Sequence, residues 1–115
     1  MVLQFLTLEQ SHGLACYQGE MKQAAALLRS AAPDQWQVAF RLEKLAKRVA
    51  EGNARKILKE EAVNALAGVQ RVGPLLGPNT QDRLQDLLEP LVHRMGLAAD
   101  VAVAAETRQQ IGARR

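Results

Sequence analysis

The chain has a single cysteine, Cys16, and aromatic residues make up only 3% of it: one tryptophan, one tyrosine and two phenylalanines. One cysteine cannot form an internal disulfide, and a lone thiol suits a reducing compartment. β-Branched residues other than valine are few, which argues against a sheet-based fold. No apolar run approaches the ~20 residues that a membrane-spanning helix needs. The apolar start, Met1 to Leu8, is short, lacks a basic leader and runs into Glu9-Gln10-Ser11-His12, so it does not read as a signal peptide. With no address of any kind, the expected location is cytoplasmic and away from membranes. Also missing are a P-loop, GxGxxG, GxSxG and HExxH motifs and an EF-hand loop. The expectation is a non-enzyme without a cofactor.

What is present is enough for a core. A chain of 115 residues fits one domain spanning 1–115, and needs neither metal nor disulfide to hold it. Its apolar residues are mostly alanine, leucine and valine; the first two are the best helix formers, which predicts an all-α fold. The net charge of +3 is mildly basic, permitting a polyanionic partner without requiring one.

Periodicity and punctuation predict four to five helices in an antiparallel bundle. Thr7 and Gln10 fit a capping box, so a first helix should start near Leu8, with Leu14, Tyr17, Met21, Ala24, Ala25 and Leu28 facing the core. Pro33 should stop it and Asp34 cap the next. In that second helix Val38, Leu42, Leu45 and Val49 form an apolar stripe, and Gln37, Arg41, Lys44 and Arg48 repeat the spacing one residue earlier. Trp36 and Phe40 are i, i+4 neighbours near its start. Gly52 reads as a left-handed cap with Asn53 as the following N-cap, and a third helix should run from Ala54 to Val72 on Leu58, Ala62, Ala65, Val69 and Val72, flanked by Ile57 and Leu66.

The stretch Gly73-Pro74-Leu75-Leu76-Gly77-Pro78 reads as a stiff loop. Leu75 and Leu76 either plug the bundle end or stand exposed as an apolar partner contact. Asn79 or Thr80 should cap a fourth helix bearing Leu84, Leu87, Leu88, Leu91 and Met95; Pro90 inside it predicts a kink or break near Glu89. Gly96 ends it. A last helix carries Leu97, Val101, Ala104, Ala105 and Ile111, with 112–115 as a frayed basic tail. The apolar segment 1–7 should pack across the bundle end. That segment and the fourth helix are the two surfaces that could make a homodimer.

Few constellations offer chemistry. His12, Cys16 and Glu20 follow helical spacing, half of a zinc site, but His93 is the one other histidine and there is no second cysteine. The same His12 and Cys16 could pair as base and nucleophile, but nothing near them supplies an oxyanion hole. Asp82, Asp86 and Glu89 read as a solvated acidic face. A helix-turn-helix over Ala62 to Val69 would drive its recognition helix through Pro74. The strongest hint is basic: Arg41, Lys44, Lys47, Arg48, Arg55, Lys56 and Lys59 should gather near the Gly52 turn, where they could grip an acidic surface or phosphates. The pairs Glu43–Lys47, Glu51–Arg55 and Lys56–Glu60 have ordinary helix-stabilising spacing, and no aromatic residues interleave the cluster. The expectation is a small regulatory or adaptor protein acting on a protein partner, with the basic residues setting specificity and Leu75 and Leu76 as anchors. The alternative is a sequence-tolerant nucleic-acid binder using the basic patch. The compact, Ala/Leu/Arg-rich composition suits a bacterial or mobile-element protein.

Overall fold

Thr7 opens the fold as expected. Its Oγ1 accepts the Gln10 N–H at 3.1 Å, while Gln10 Oε1 accepts the Thr7 N–H at 3.0 Å, so two otherwise orphaned donors are satisfied reciprocally. The structure, a computed structural model, describes residues 4–52 and 56–113, and for 107–113 the backbone alone. The chain is all-α. The six helices among the described residues are α1 (Leu8–Cys16), α2 (Gln18–Ala31), α3 (Trp36–Ala50), α4 (Lys59–Val72), α5 (Pro78–Arg94) and α6 (Ala98–Ala113).

The sixth helix arises where one was expected to be continuous. Tyr17 leaves helical geometry at φ −111° and ψ 23°, separating α1 from α2. Gly13 and Gly19 weaken the helix on either side of that point. Gln10 Nε2 donates to the Met95 carbonyl at 3.2 Å, and Gly13 lies over the side chains of Arg94 and Met95, so α1 is drawn across the end of α5. Tyr17 is half-buried rather than part of the core stripe, whereas Leu14, Met21 and Leu28 are fully buried.

Pro33 does end α2, but Asp34 does not cap α3. Pro33–Gln35 form a 3₁₀ turn, with proline at its first position, and the α-helix starts only at Trp36. The α3 stripe is as expected: Val38, Leu42, Leu45 and Val49 are all buried. Gly52 takes the left-handed position (φ 77°). Asn53, expected as the next N-cap, lies outside the described residues.

The largest departure is the start of α4, which begins at Lys59 rather than Ala54. Leu58 is extended (φ −69°, ψ 139°) and pairs with Phe5 in an antiparallel bridge. The Leu6 N–H donates to the Ile57 carbonyl at 3.0 Å, and the Lys59 N–H to the Gln4 carbonyl at 2.8 Å. The N-terminal segment thus supplies backbone partners that hold 57–58 out of the helix, and Ile57 rather than Leu58 fills the core. Within segment 1–7 Leu6 is buried as expected, but Phe5 is exposed; residues 1–3 lie outside the described residues.

α5 starts at Pro78 with Gly77 (φ 86°, ψ 157°) as its cap, so Asn79 and Thr80 lie inside the first turn. Proline suits that first position because its missing N–H would have no partner there. Pro90 does not split α5, which is continuous to Arg94. Pro90 and Asp86, whose carbonyl it leaves without its helical donor, both lie on the exposed side, where water can serve that carbonyl. A two-bond C-terminal motif closes the helix: Gly96 N–H to His93 O at 3.0 Å and Leu97 N–H to Val92 O at 3.1 Å. This geometry needs the positive φ of Gly96 (68°), and it drives Leu97 into the core. α6 continues through Gly112 to Ala113, since one glycine costs only about 1 kcal/mol in a helix and does not end it. The expected tail therefore shortens, and 114–115 lie outside the described residues, as does the Ile111 side chain.

α2 packs against α3 and α5, and α4 against α6 and α3, while α1 touches α2, α3 and α5. The buried aliphatic residues of all six helices join in one cluster. No helix among the described residues is long and apolar enough to cross a membrane.

Candidate functional site

The expected basic cluster separates into two populations. Arg48 turns inward: its Nη1 bonds both Glu61 oxygens at 2.8 and 2.7 Å, and its Nη2 donates to the Lys56 carbonyl at 3.0 Å. It pins the end of α3 to the start of α4. Lys59 Nζ stands 3.5 Å from Asp100 on α6. Arg41, Lys44, Lys47 and Lys56 are exposed. Arg55 lies outside the described residues. Glu43, placed by spacing beside Lys47, instead takes a two-bond contact from Arg29 on α2 at 2.6 and 2.7 Å.

Two aromatic residues join the exposed cations. Trp36 is 52% exposed and Phe40 50%, although both sit on a helix whose other face is buried. The helical turn explains it: each lies two residues, about 200°, from Val38. They line one wall of an open groove of about 560 Å³ between α3 and α4, together with Arg41 and Lys44. The buried Leu45 and Ala65 form its floor, and Asn64 and Glu61 stand on the α4 side. The expectation that no aromatic residue interleaves the basic cluster is therefore corrected at its Arg41 end: Phe40 directly precedes Arg41 in sequence, and the turn of the helix brings Trp36 and Lys44 to the same groove. Arg41 also borders a smaller groove of about 300 Å³ reaching Asp34 and Arg71.

The Leu75–Leu76 pair divides. Leu75 is 76% exposed at the tip of a 3₁₀ turn, Gly73–Leu75, while Leu76 is half-buried and packs on the core. A third groove of about 540 Å³, between α4, α5 and α6, has mixed walls, with Leu84, Leu88 and Val92 alongside Gln70, Gln81 and Gln85, and Glu89 and His93 also line it. These two are 3.5 Å apart over one helical turn and well exposed. His12 and Cys16 are both exposed on α1. Among the described residues no three His, Cys, Asp or Glu side chains come close enough to hold a metal ion together.

The α3 face thus combines half-exposed aromatic rings, exposed cations and an apolar floor. It can bury apolar side chains and attract negative charge. Comparison with known families, curated proteins and solved structures finds no match to this chain.

Proposed function

We propose that this protein is a non-enzymatic regulatory or adaptor protein that docks a protein partner on the aromatic and basic face of α3, in a cytoplasmic setting and without a cofactor. The observation that carries the reading is the placement of Trp36 and Phe40, half-exposed, beside Arg41 and Lys44 on one apolar-floored groove. Tryptophan and arginine are the residues that most often dominate binding energy, because a large ring buries much area for little entropy and a guanidinium makes several directed bonds. The rings would supply most of the affinity. Arg41, Lys44 and Lys47 would steer an acidic surface and set specificity. Leu75 is a second apolar contact, remote in sequence, and Leu76 contributes to the core instead.

The test is purification of the tagged protein from its native host after nuclease treatment, in parallel with Trp36→Ala and Arg41→Glu. The expected result is a stoichiometric protein retained by the natural chain and lost from both variants. A partner equally retained by both variants overturns the assignment of the face.

A nucleic acid is the second reading, favoured by aromatic rings next to cations, the arrangement on which single strands stack. Two cations expected for it, Arg48 and Lys59, are engaged within the protein. Were Arg41, Lys44, Lys47 and Lys56 to carry such binding, its logarithmic salt slope for a single strand would be about −3.

A further inference from the structure

If the α3 face is a protein-docking surface, its shape and charge constrain what docks there. We infer that the partner segment is an acidic amphipathic α-helix of about three turns, lying along the groove between α3 and α4. The inference rests on the function proposed above and adds the partner's conformation and charge.

The conformation follows from backbone hydrogen bonding. Both walls of the groove are α-helices, so their N–H and C=O groups are already bonded along their own axes. An extended segment entering the groove would find no strand edge to pair with, and its backbone groups would lose water without replacement. A helix satisfies those groups internally and brings only side chains to the groove. The α3 residues that line the groove run from Trp36 to Leu45, about 14 Å at 1.5 Å per residue, and Lys47 stands just beyond them, so the face accommodates about three turns. Apolar side chains spaced i, i+3 or i+4, and i+7 on the incoming helix would meet Trp36, Phe40 and the Leu45–Ala65 floor in turn.

The sign of the charge follows from what is already neutralised. Glu61, the carboxylate lining the groove, is held by both bonds from Arg48. Arg41 and Lys44 on the opposite wall are exposed, and Lys47 follows one turn further along α3. The groove therefore presents aromatic rings towards the start of α3 and positive charge towards its end. A partner with apolar anchors at one end and glutamate or aspartate at the other complements both.

Trp36 is the sole tryptophan, so its emission reports the groove directly. The probe is a designed, tryptophan-free, end-capped peptide of about fifteen residues, about four turns, which leaves about three turns for the groove after fraying at the ends, with a leucine stripe flanked by glutamates. It is titrated into the full chain, together with a lysine-for-glutamate twin, a version broken by a central proline and a thymidine oligonucleotide. Expected are a saturable blue shift of Trp36 and a gain of peptide helicity with the acidic peptide alone. Arg41→Glu and, separately, Lys44→Gln should weaken binding about tenfold, with the unliganded circular dichroism unchanged.

Equal binding of the lysine twin overturns the acidic assignment, and equal binding of the proline-broken peptide overturns the helical one; both leave the docking function standing. No response to any peptide, while a host protein is still lost from Trp36→Ala, likewise overturns the inference alone. An emission that changes with protein concentration and no ligand makes a second copy the occupant, which overturns the inference. A response to the oligonucleotide and to no peptide overturns the inference and the protein-docking reading together.

Discussion

Arg41 and Arg48 are the same residue type two turns apart on one helix, yet their neighbours give them different work. Arg48 finds Glu61 and a free carbonyl within reach and becomes a tie between α3 and α4. Arg41 stays exposed on the groove. Arg29 and Glu43 make a second tie, between α2 and α3. The hydrogen bonds from Arg29 hold the Glu43 carboxyl below its usual range. A carboxyl with a depressed folded-state pKa stabilises the fold above its unfolded pKa, and that contribution disappears as pH falls through the folded value. The melting temperature of Glu43→Gln should therefore lie slightly below that of the natural chain at neutral pH and converge with it in acid. Because the pair is well exposed, the difference should also shrink in high salt. At Gly77 the constraint is conformational. Its φ of 86° with ψ 157° is a region that essentially only glycine occupies. Nothing lies near a Cβ added there, so Gly77→Ala should lose about 1–3 kcal/mol in a urea titration through backbone strain alone.

At the scale of elements, α3 was the most legible part of the chain. Its apolar residues repeat with one helical period over about three turns, and every stripe residue is buried. The same period, carried round the helix to Trp36 and Phe40, already places both rings off the buried stripe. Composition hides that, because a 3% aromatic content does not show on which face of a helix the rings lie. The split at Tyr17 was not legible, because Leu14, Met21 and Leu28 keep helical spacing straight across it. Spacing reports which face is apolar; it does not report that the end of α5 pulls α1 aside. Of the two outcomes that Pro90 allows, a kink or a break, the continuous α5 excludes the break. The helix survives because the damage falls on its wet side. Replacing Pro90 by alanine should restore the bond to the Asp86 carbonyl and raise stability by on the order of 2–3 kcal/mol, measured by chemical denaturation.

At the scale of the whole molecule, the N-terminal segment binds the two halves of the chain. Leu6 is buried in the common cluster, and Gln4 and Leu6 exchange backbone bonds with Lys59 and Ile57 far along the sequence. Those bonds occupy one donor at the start of α4, a position otherwise left to a capping side chain that is absent here. Leu6→Ala should lower global stability by about 2–5 kcal/mol, as for other buried leucines, with the loss read from the urea midpoint. The Lys59 amide should lose hydrogen-exchange protection in the same variant beyond what the global change accounts for. If the amide stays protected, the segment is packed on the fold without organising α4.

Composition and short-range pattern were sufficient for the all-α class, the capping box at Thr7, the α3 stripe and the end of α5 at Gly96. Each of these depends on interactions within a few residues, and local sequence contains both partners. The start of α4, the division of α1 from α2, the inward turn of Arg48 and the separation of Leu75 from Leu76 were decided by tertiary contacts. In each, the energy comes from a partner elsewhere in the chain: Gln4 for Lys59, Met95 for Gln10, Glu61 for Arg48, the core for Leu76. Which cations remain on the surface, and therefore what the α3 face can attract, follows from that second set.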